Sequence, residues 1–453
     1  MKTFVKVTVC IFLFVAGLNS WANSFPGNNV SIFNQSGDST GHRAFQISLV
    51  PYFGTNGISD SIVNDISINI LAGYVYEVRS LEIGGMFNIV KRNMQSCQLA
   101  GMGNVVFGKA SGLQAAGIVN ISNSLDGVQI AGMLNTVRHL KGIQISGLVN
   151  HTLTGCGIQM ASLINNACDS SEFQISGFIN NAALAKQFQI SGMLNNVRET
   201  EFQIAGLVNN ARMARQFQIS GLLNNTSSPT NMQIAGLVNN ASDIKSTQIS
   251  GFVNNANTVN GLQAAGFLNR ARNLKGVQIG FINIADSCSG VPIGILNFVK
   301  NGYHKLELSS DEMFYTNIAY RSGIQKIHGI VSAGIRPDNF DKPLWTYGVG
   351  VGTSFNLSPK MLFDMDIMFQ NVIKSHEIAD NFLYKIYAGA DWQLFPKASL
   401  FFGVSYNFLV TDTRDEHYST HYADIAPYTF TDHTYRRFNL KTWAGFRAGI
   451  RLF

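Results

Sequence analysis

Three observations predict an all-β chain built in two styles: a phrase repeated at nearly constant spacing, period-two alternation in the flanking sequence, and an uneven distribution of tyrosine and tryptophan. Between Gln98 and Asn297 the phrase Gln-hydrophobic-Ala/Ser-Gly-hydrophobic-hydrophobic-Asn recurs, with Pro292 in the last glutamine's place. A fixed period means one supersecondary unit used repeatedly, each copy burying its apolar surface against the next. The predicted fold is a β-solenoid of about fifteen residues per coil. It is inserted into, or joined to, an antiparallel transmembrane β-barrel of about eight to ten strands. One large antiparallel barrel, or meander, is the alternative.

Residues 1–24 read as a signal peptide. Lys2 and Lys6 flank the start of the apolar run Val7 to Leu18, which is too short to span a bilayer, and small residues follow at Ser20, Ala22 and Ser24. Cys10 lies inside that run without the surroundings of a lipid-attachment site. Residues 25–43 are read as a linker. The charged fraction of 13% is about half that of a typical soluble protein, so something other than water is expected to face part of the surface. A net charge of +6, spread along the chain, makes no case for nucleic acid. Cys97, Cys156, Cys168 and Cys288 stand at unequal offsets from the repeat glutamines, so they cannot stack on neighbouring rungs. Buried free thiols are expected rather than a disulfide framework.

Residues 44–78 are predicted to be the first barrel strands, because Ile66, Ile68, Ile70, Ala72 and Tyr74 alternate with Ser67, Asn69 and Gly73. Residues 79–302 form the repeat domain, and 77–302 contain neither tyrosine nor tryptophan. In a solenoid, identical positions stack at about 4.8 Å, so Gln sits on Gln and Asn on Asn. The predicted ladder is Gln129, Asn135, Gln144, Asn150, Gln174, Asn180, Gln189, Asn195, Gln203, Asn209, Gln218, Asn224, Gln233, Asn239, Gln248 and Asn254. In-register amides hydrogen-bond along such a stack. The Gly of each copy suits a corner, and the variable charged residues after each Asn pair, such as Ala183 to Lys186, are expected to form a turn or loop. One point weighs against the solenoid: both residues after the Gly are apolar, and one should face outward. In a meander each copy would be an antiparallel strand.

Residues 303–453 carry the remaining barrel strands. Trp345, Tyr347, Val349, Val351 and Phe355 alternate with small residues, and Phe363, Met365, Ile367 and Phe369 alternate with Asp364, Asp366 and Gln370. Apolar residues outside and polar residues inside, with aromatics near the ends, mark a membrane barrel. If Phe45 to Phe53 and Leu306 to Ser310 both cross, about ten strands form and the repeats leave on the periplasmic side; if neither crosses, eight remain and the repeats face outward.

No catalytic, cofactor or metal site is expected. His417 and His421 would share a face only on a helix, which their surroundings oppose. Asp364, Asp366, Lys385 and Asp391 are expected to be a structural cluster filling the barrel. The doubled Asn from Asn165-Asn166 to Asn254-Asn255 reads as an internal amide ladder, with a glycan-binding stripe as the other reading.

The repeat, best seen in Gly142 to Asn150 and Gly276 to Asn283, resembles a family of bacterial surface-repeat proteins known mainly from spirochaetes and Bacteroidota. The stretches Gly290 to Glu307 and Phe314 to Asn317 resemble that family's join to a C-terminal part. The resemblance implies an envelope location and brings no site residues, and with the barrel pattern the expectation is an exported Gram-negative envelope protein. The expected function is a non-enzymatic outer-membrane scaffold or adhesion module, with lipid as one partner and a glycan or protein as another. The alternative is a channel or transporter whose repeats line or plug the barrel.

Overall fold

The computed structural model describes residues 41–56, 61–337, 343–374, 381–413, 425–426 and 428–452. The expected signal peptide, most of the linker, and His417 and His421 lie outside them. The repeat builds a parallel β-solenoid in which the phrase stacks on itself. Gln144 lies opposite Gln129 and Gln159, and Asn150 opposite Asn135 and Asn165. Parallel pairing rules out the meander. Where the glutamine spacing falls to fourteen, from Gln189 to Gln203, the register slips between Ala185 and Phe188 and is restored at the Gln.

Each repeat Gly stands at a corner. A Cβ on Gly192 or Gly221 would collide with the carbonyl oxygen of Gly177 or Gly206, one coil earlier, so close stacking demands glycine there. Several of the expected loops are strand, while from residue 227 onward the variable segments do interrupt the strands. Ile179–Ser191 and Val208–Ser220 continue as strands through the variable residues, because Ala185 and Ala214 turn inward and join a core of Ala167, Val197 and Ala211.

Residues 44–78 are not barrel strands. Gly41–Val50 pairs in parallel with Ile62–Asn69, which pairs in parallel with Glu77–Gly84, so these are the first coils of the solenoid. The alternation was real: Ser67 and Asn69 are buried while Ile68 and Ile70 are exposed. Apolar-out alternation belongs to this solenoid as well as to the barrel.

The barrel is built from residues 303–452 alone. Its strands are β1 (Tyr303–Asp311), β2 (Thr316–Ile324), β3 (Ile327–Arg336), β4 (Leu344–Ser358), β5 (Met361–Lys374), β6 (Asn381–Phe395), β7 (Ala398–Asp412) and β8 (Phe438–Leu452). Neighbours pair antiparallel, and β8 closes on β1 through Leu306 opposite Leu452, giving eight strands. The polarity is inverted relative to a soluble barrel: Asp364, Asp366 and Gln370 are buried while Met365, Ile367 and Phe369 are exposed.

The solenoid is joined to the barrel's N-terminal strand, not inserted between strands. Its last coil rests on the outside of β2 and β3. There the Asn297 backbone N–H donates to Ser322 Oγ at 3.1 Å, the Phe298 ring lies 6.5 Å from that of Tyr320, and Gly329 leaves room for the carbonyls of Gly294 and Ile295. The chain enters and leaves the barrel at this end, where the β2–β3, β4–β5 and β6–β7 turns are all short. The longest connection, β7 to β8, is at the opposite end.

Candidate functional site

Two groups of buried polar side chains run through the molecule: the amide ladders of the solenoid and the charges inside the barrel. All sixteen predicted ladder residues are fully buried and lie where the register places them. The glutamines donate toward the N-terminal neighbour, as Gln144 Nε2 does to Gln129 Oε1 at 3.0 Å and Gln248 does to Gln233 at 2.9 Å. The asparagines donate the opposite way, Asn135 to Asn150 and Asn239 to Asn254, each at 3.0 Å. Backbone carbonyls help hold both orientations: Gln203 Nε2 also reaches Asn210 O at 3.4 Å, and Asn195 Nδ2 reaches Ile204 O at 2.7 Å. These amides are therefore committed to one another and to the corners. The Ala/Ser position is interchangeable for a simple reason: the hydroxyls of Ser146, Ser176, Ser191, Ser220 and Ser250 are buried without a hydrogen-bond partner.

The second Asn of each pair also stacks, with Asn166 buried and most of the others partly exposed. Asn181 donates to Asn166 at 2.9 Å and Asn255 to Asn240 at 2.8 Å, and Asn196 is exposed. The expectation of an internal ladder thus holds for the first Asn, while the second forms a half-buried ladder at the rim.

Glu82 went unnoticed in the sequence. It occupies the glutamine column opposite Gln98 and terminates both ladders: Oε2 accepts from Gln98 Nε2 at 2.8 Å and Oε1 from Asn69 Nδ2 at 2.9 Å. Asn69 itself fills the place of a missing ladder residue, since a Cβ on Gly73 would collide with it. Burial pushes the Glu82 carboxyl up to about 7, against the two amide donors that favour its charge.

Inside the barrel, Lys305, Arg321, Lys385, Arg447 and Arg451 face Glu307, Asp311, Asp364, Asp366 and Asp391, all buried, and the charges balance. Arg321 holds Asp366 through two bonds of 2.9 and 2.5 Å, and Glu307 through Nε at 2.9 Å. Arg451 meets Glu307 at 2.9 Å and Asp391 at 2.8 Å, and also pairs with Asp364; Arg447 pairs with Glu307. Lys305 binds Asp391 at 2.8 Å and Lys385 binds Asp311 at 2.5 Å. The four residues expected to cluster are therefore each neutralised, but by partners on β1, β2 and β8. Toward the end with the long connections, Met313, Phe314, Leu344, Val372, Leu383, Leu409, Ile425 and Trp443 form an apolar plug. The lumen is filled by side chains, and the repeats lie outside it.

The cysteines are free among the described residues, but the expectation that they are buried fails: Cys168 is exposed and Cys97, Cys156 and Cys288 are partly so. In the connection that holds His417 and His421, Asp432 and His433 lie in the short strand Thr431–Thr434, and the Asp432 carboxylate accepts from Asn439 and pairs with Lys441. No family model, curated protein or solved structure matches the chain.

Proposed function

We propose that this protein is an outer-membrane anchor carrying a periplasmic scaffold, without enzymatic activity. The observation that carries the reading is the inverted barrel: apolar side chains and aromatics outside, balanced charge inside, closed with no open edge. In water such a wall would be unfavourable; in a bilayer it is the arrangement that satisfies both solvents. The turns support the periplasmic placement of the solenoid. Outer-membrane barrels keep their short turns in the periplasm and their long loops outside, and here the solenoid joins at the short-turn end. Neither of the two cases weighed from the sequence applies, because Leu306 to Ser310 lies in a barrel strand while Phe45 to Val50 lies in the solenoid. The solenoid supplies a rigid, uniform surface suited to a protein or glycan partner rather than a reaction.

The charge network and the apolar plug favour an anchor over a channel. Purified protein added to a planar lipid bilayer is expected to insert without steady conductance. Discrete, ion-selective current steps would instead support the transport reading.

A further inference from the structure

The outward positions of the repeat are apolar in columns. The residue after each Gln and the residue after each Gly are exposed or partly exposed coil after coil, with Ile145, Ile175 and Ile249 exposed in one column and Phe178, Leu237 and Phe252 in the other. Phe252 stacks on Phe267 with ring centroids 5.1 Å apart. Charged residues such as Arg198, Arg212 and Lys245 are exposed too, but they belong to the variable segments on the other flank. At ~4.8 Å per coil the apolar stripe runs roughly 70 Å, on the order of 1,000 Å², more than a soluble monomer ordinarily leaves bare.

The stripe does not end in solvent. Near the join it faces the outer wall of the barrel across a cleft of about 940 Å³, with Ile279, Phe281 and Ile293 on one side and Val351, Phe369 and Tyr384 on the other. Those barrel residues stand within β4, β5 and β6 and not in the turns, so in a spanning barrel they lie at hydrocarbon depth. Water in this cleft would meet almost nothing to bond.

We propose that phospholipid acyl chains fill this cleft and cover the stripe, so that the solenoid lies along the periplasmic leaflet with its apolar flank immersed and its charged flank in water. The inference rests on the reading that the barrel spans the bilayer. Acyl chains are favoured over a second copy of the chain because one occupant must cover both the stripe and the barrel wall that continues it. A conforming fluid does this, whereas a rigid partner matched to the rod would leave the wedge open. The arrangement is that of an amphipathic element lying in the membrane interface, built from strands.

The test uses the whole protein in vesicles of phosphatidylcholine and phosphatidylglycerol with and without brominated acyl chains. In the unaltered chain, Trp345 and Trp392 report on the barrel wall, where both are exposed. In a parent lacking Trp21, Trp345 and Trp392, Leu237→Trp reports on the stripe and Arg212→Trp on the charged flank. Brominated lipid is expected to reduce the added emission of Leu237→Trp by roughly half and to leave Arg212→Trp nearly unchanged, as for a face seated about 5–10 Å into the leaflet. Quenching of the barrel tryptophans without quenching at Leu237→Trp overturns the proposal and leaves the barrel reading intact. So does a cross-linked dimer in which Leu237→Trp is shielded from lipid. Quenching at neither place removes the barrel reading and the proposal with it.

Discussion

Replacing Asn195 by alanine removes one rung from the middle of a ladder. Asn195 Nδ2 donates to Asn209 Oδ1 at 3.0 Å and to Ile204 O at 2.7 Å, and its Oδ1 accepts from Asn180 at 3.0 Å. Asn180 keeps its bond to Ile190 O at 2.6 Å, so it is not orphaned. The Asn209 and Ile204 oxygens lose donors in a buried stack. With about 1–3 kcal/mol for each buried acceptor left unpaired, Asn195→Ala should lower the local opening free energy by about 2–6 kcal/mol. Because coils couple mainly to their neighbours, the loss should centre on residues 179–220 and leave the barrel unchanged. Hydrogen exchange by mass spectrometry resolves that difference peptide by peptide. Ser191→Ala is the control, since its hydroxyl has no hydrogen-bond partner: its effect should stay within about 0.5 kcal/mol. If Asn195→Ala proved as mild as Ser191→Ala, the amide ladder would not be what holds the coils in register.

Two further outcomes follow from the charged groups. For Glu82 the folded carboxyl titrates near 7 and the unfolded one near 4.5, so the ionised form is disfavoured by folding. Stability of the first coils is then full below 4.5 and lost as the pH rises toward 7, by about 3 kcal/mol at about 1.4 kcal/mol per unit. Exchange rates of residues 62–100 measured across that window should show the trend in the unaltered chain, and Glu82→Gln should flatten it. A Glu82→Gln profile as steep as the original would assign the effect elsewhere. In the barrel, Glu307→Ala leaves Arg321, Arg447 and Arg451 short of their shared carboxylate and should cost about 3–5 kcal/mol. The heat-modifiable gel shift of a folded barrel should then be lost at a lower temperature; an unchanged transition would mean that the lumen charges are better hydrated than their burial implies.

The stacking was legible because register is a local property of the text: equal offsets from one Gln to the next place Gln144 over Gln129 without any knowledge of the fold. The same logic located the glycine corners and the inward face of β5. The first coils were misassigned because Ile66, Ile68 and Ile70 alternate as barrel strands do, and only the parallel partner tells them apart. The apolar pair after each Gly, which weighed against a solenoid, is instead the mark of its exposed stripe. Partners in the barrel lumen were beyond reach: Glu307 and Arg451 meet across 144 residues of chain, and closure of a sheet leaves no periodic trace. Glu82 was hidden because it sits one coil before the first recognisable copy of the repeat.

The most direct test of the account uses a thiol the chain already carries. Cys168 is exposed on the solenoid. A maleimide too large and too polar to cross the outer membrane should leave Cys168 unlabelled in intact cells and label it once that membrane is permeabilised. Labelling in intact cells, at the rate seen after permeabilisation, would place the solenoid on the outside and contradict the reading of a periplasmic scaffold held by a filled barrel.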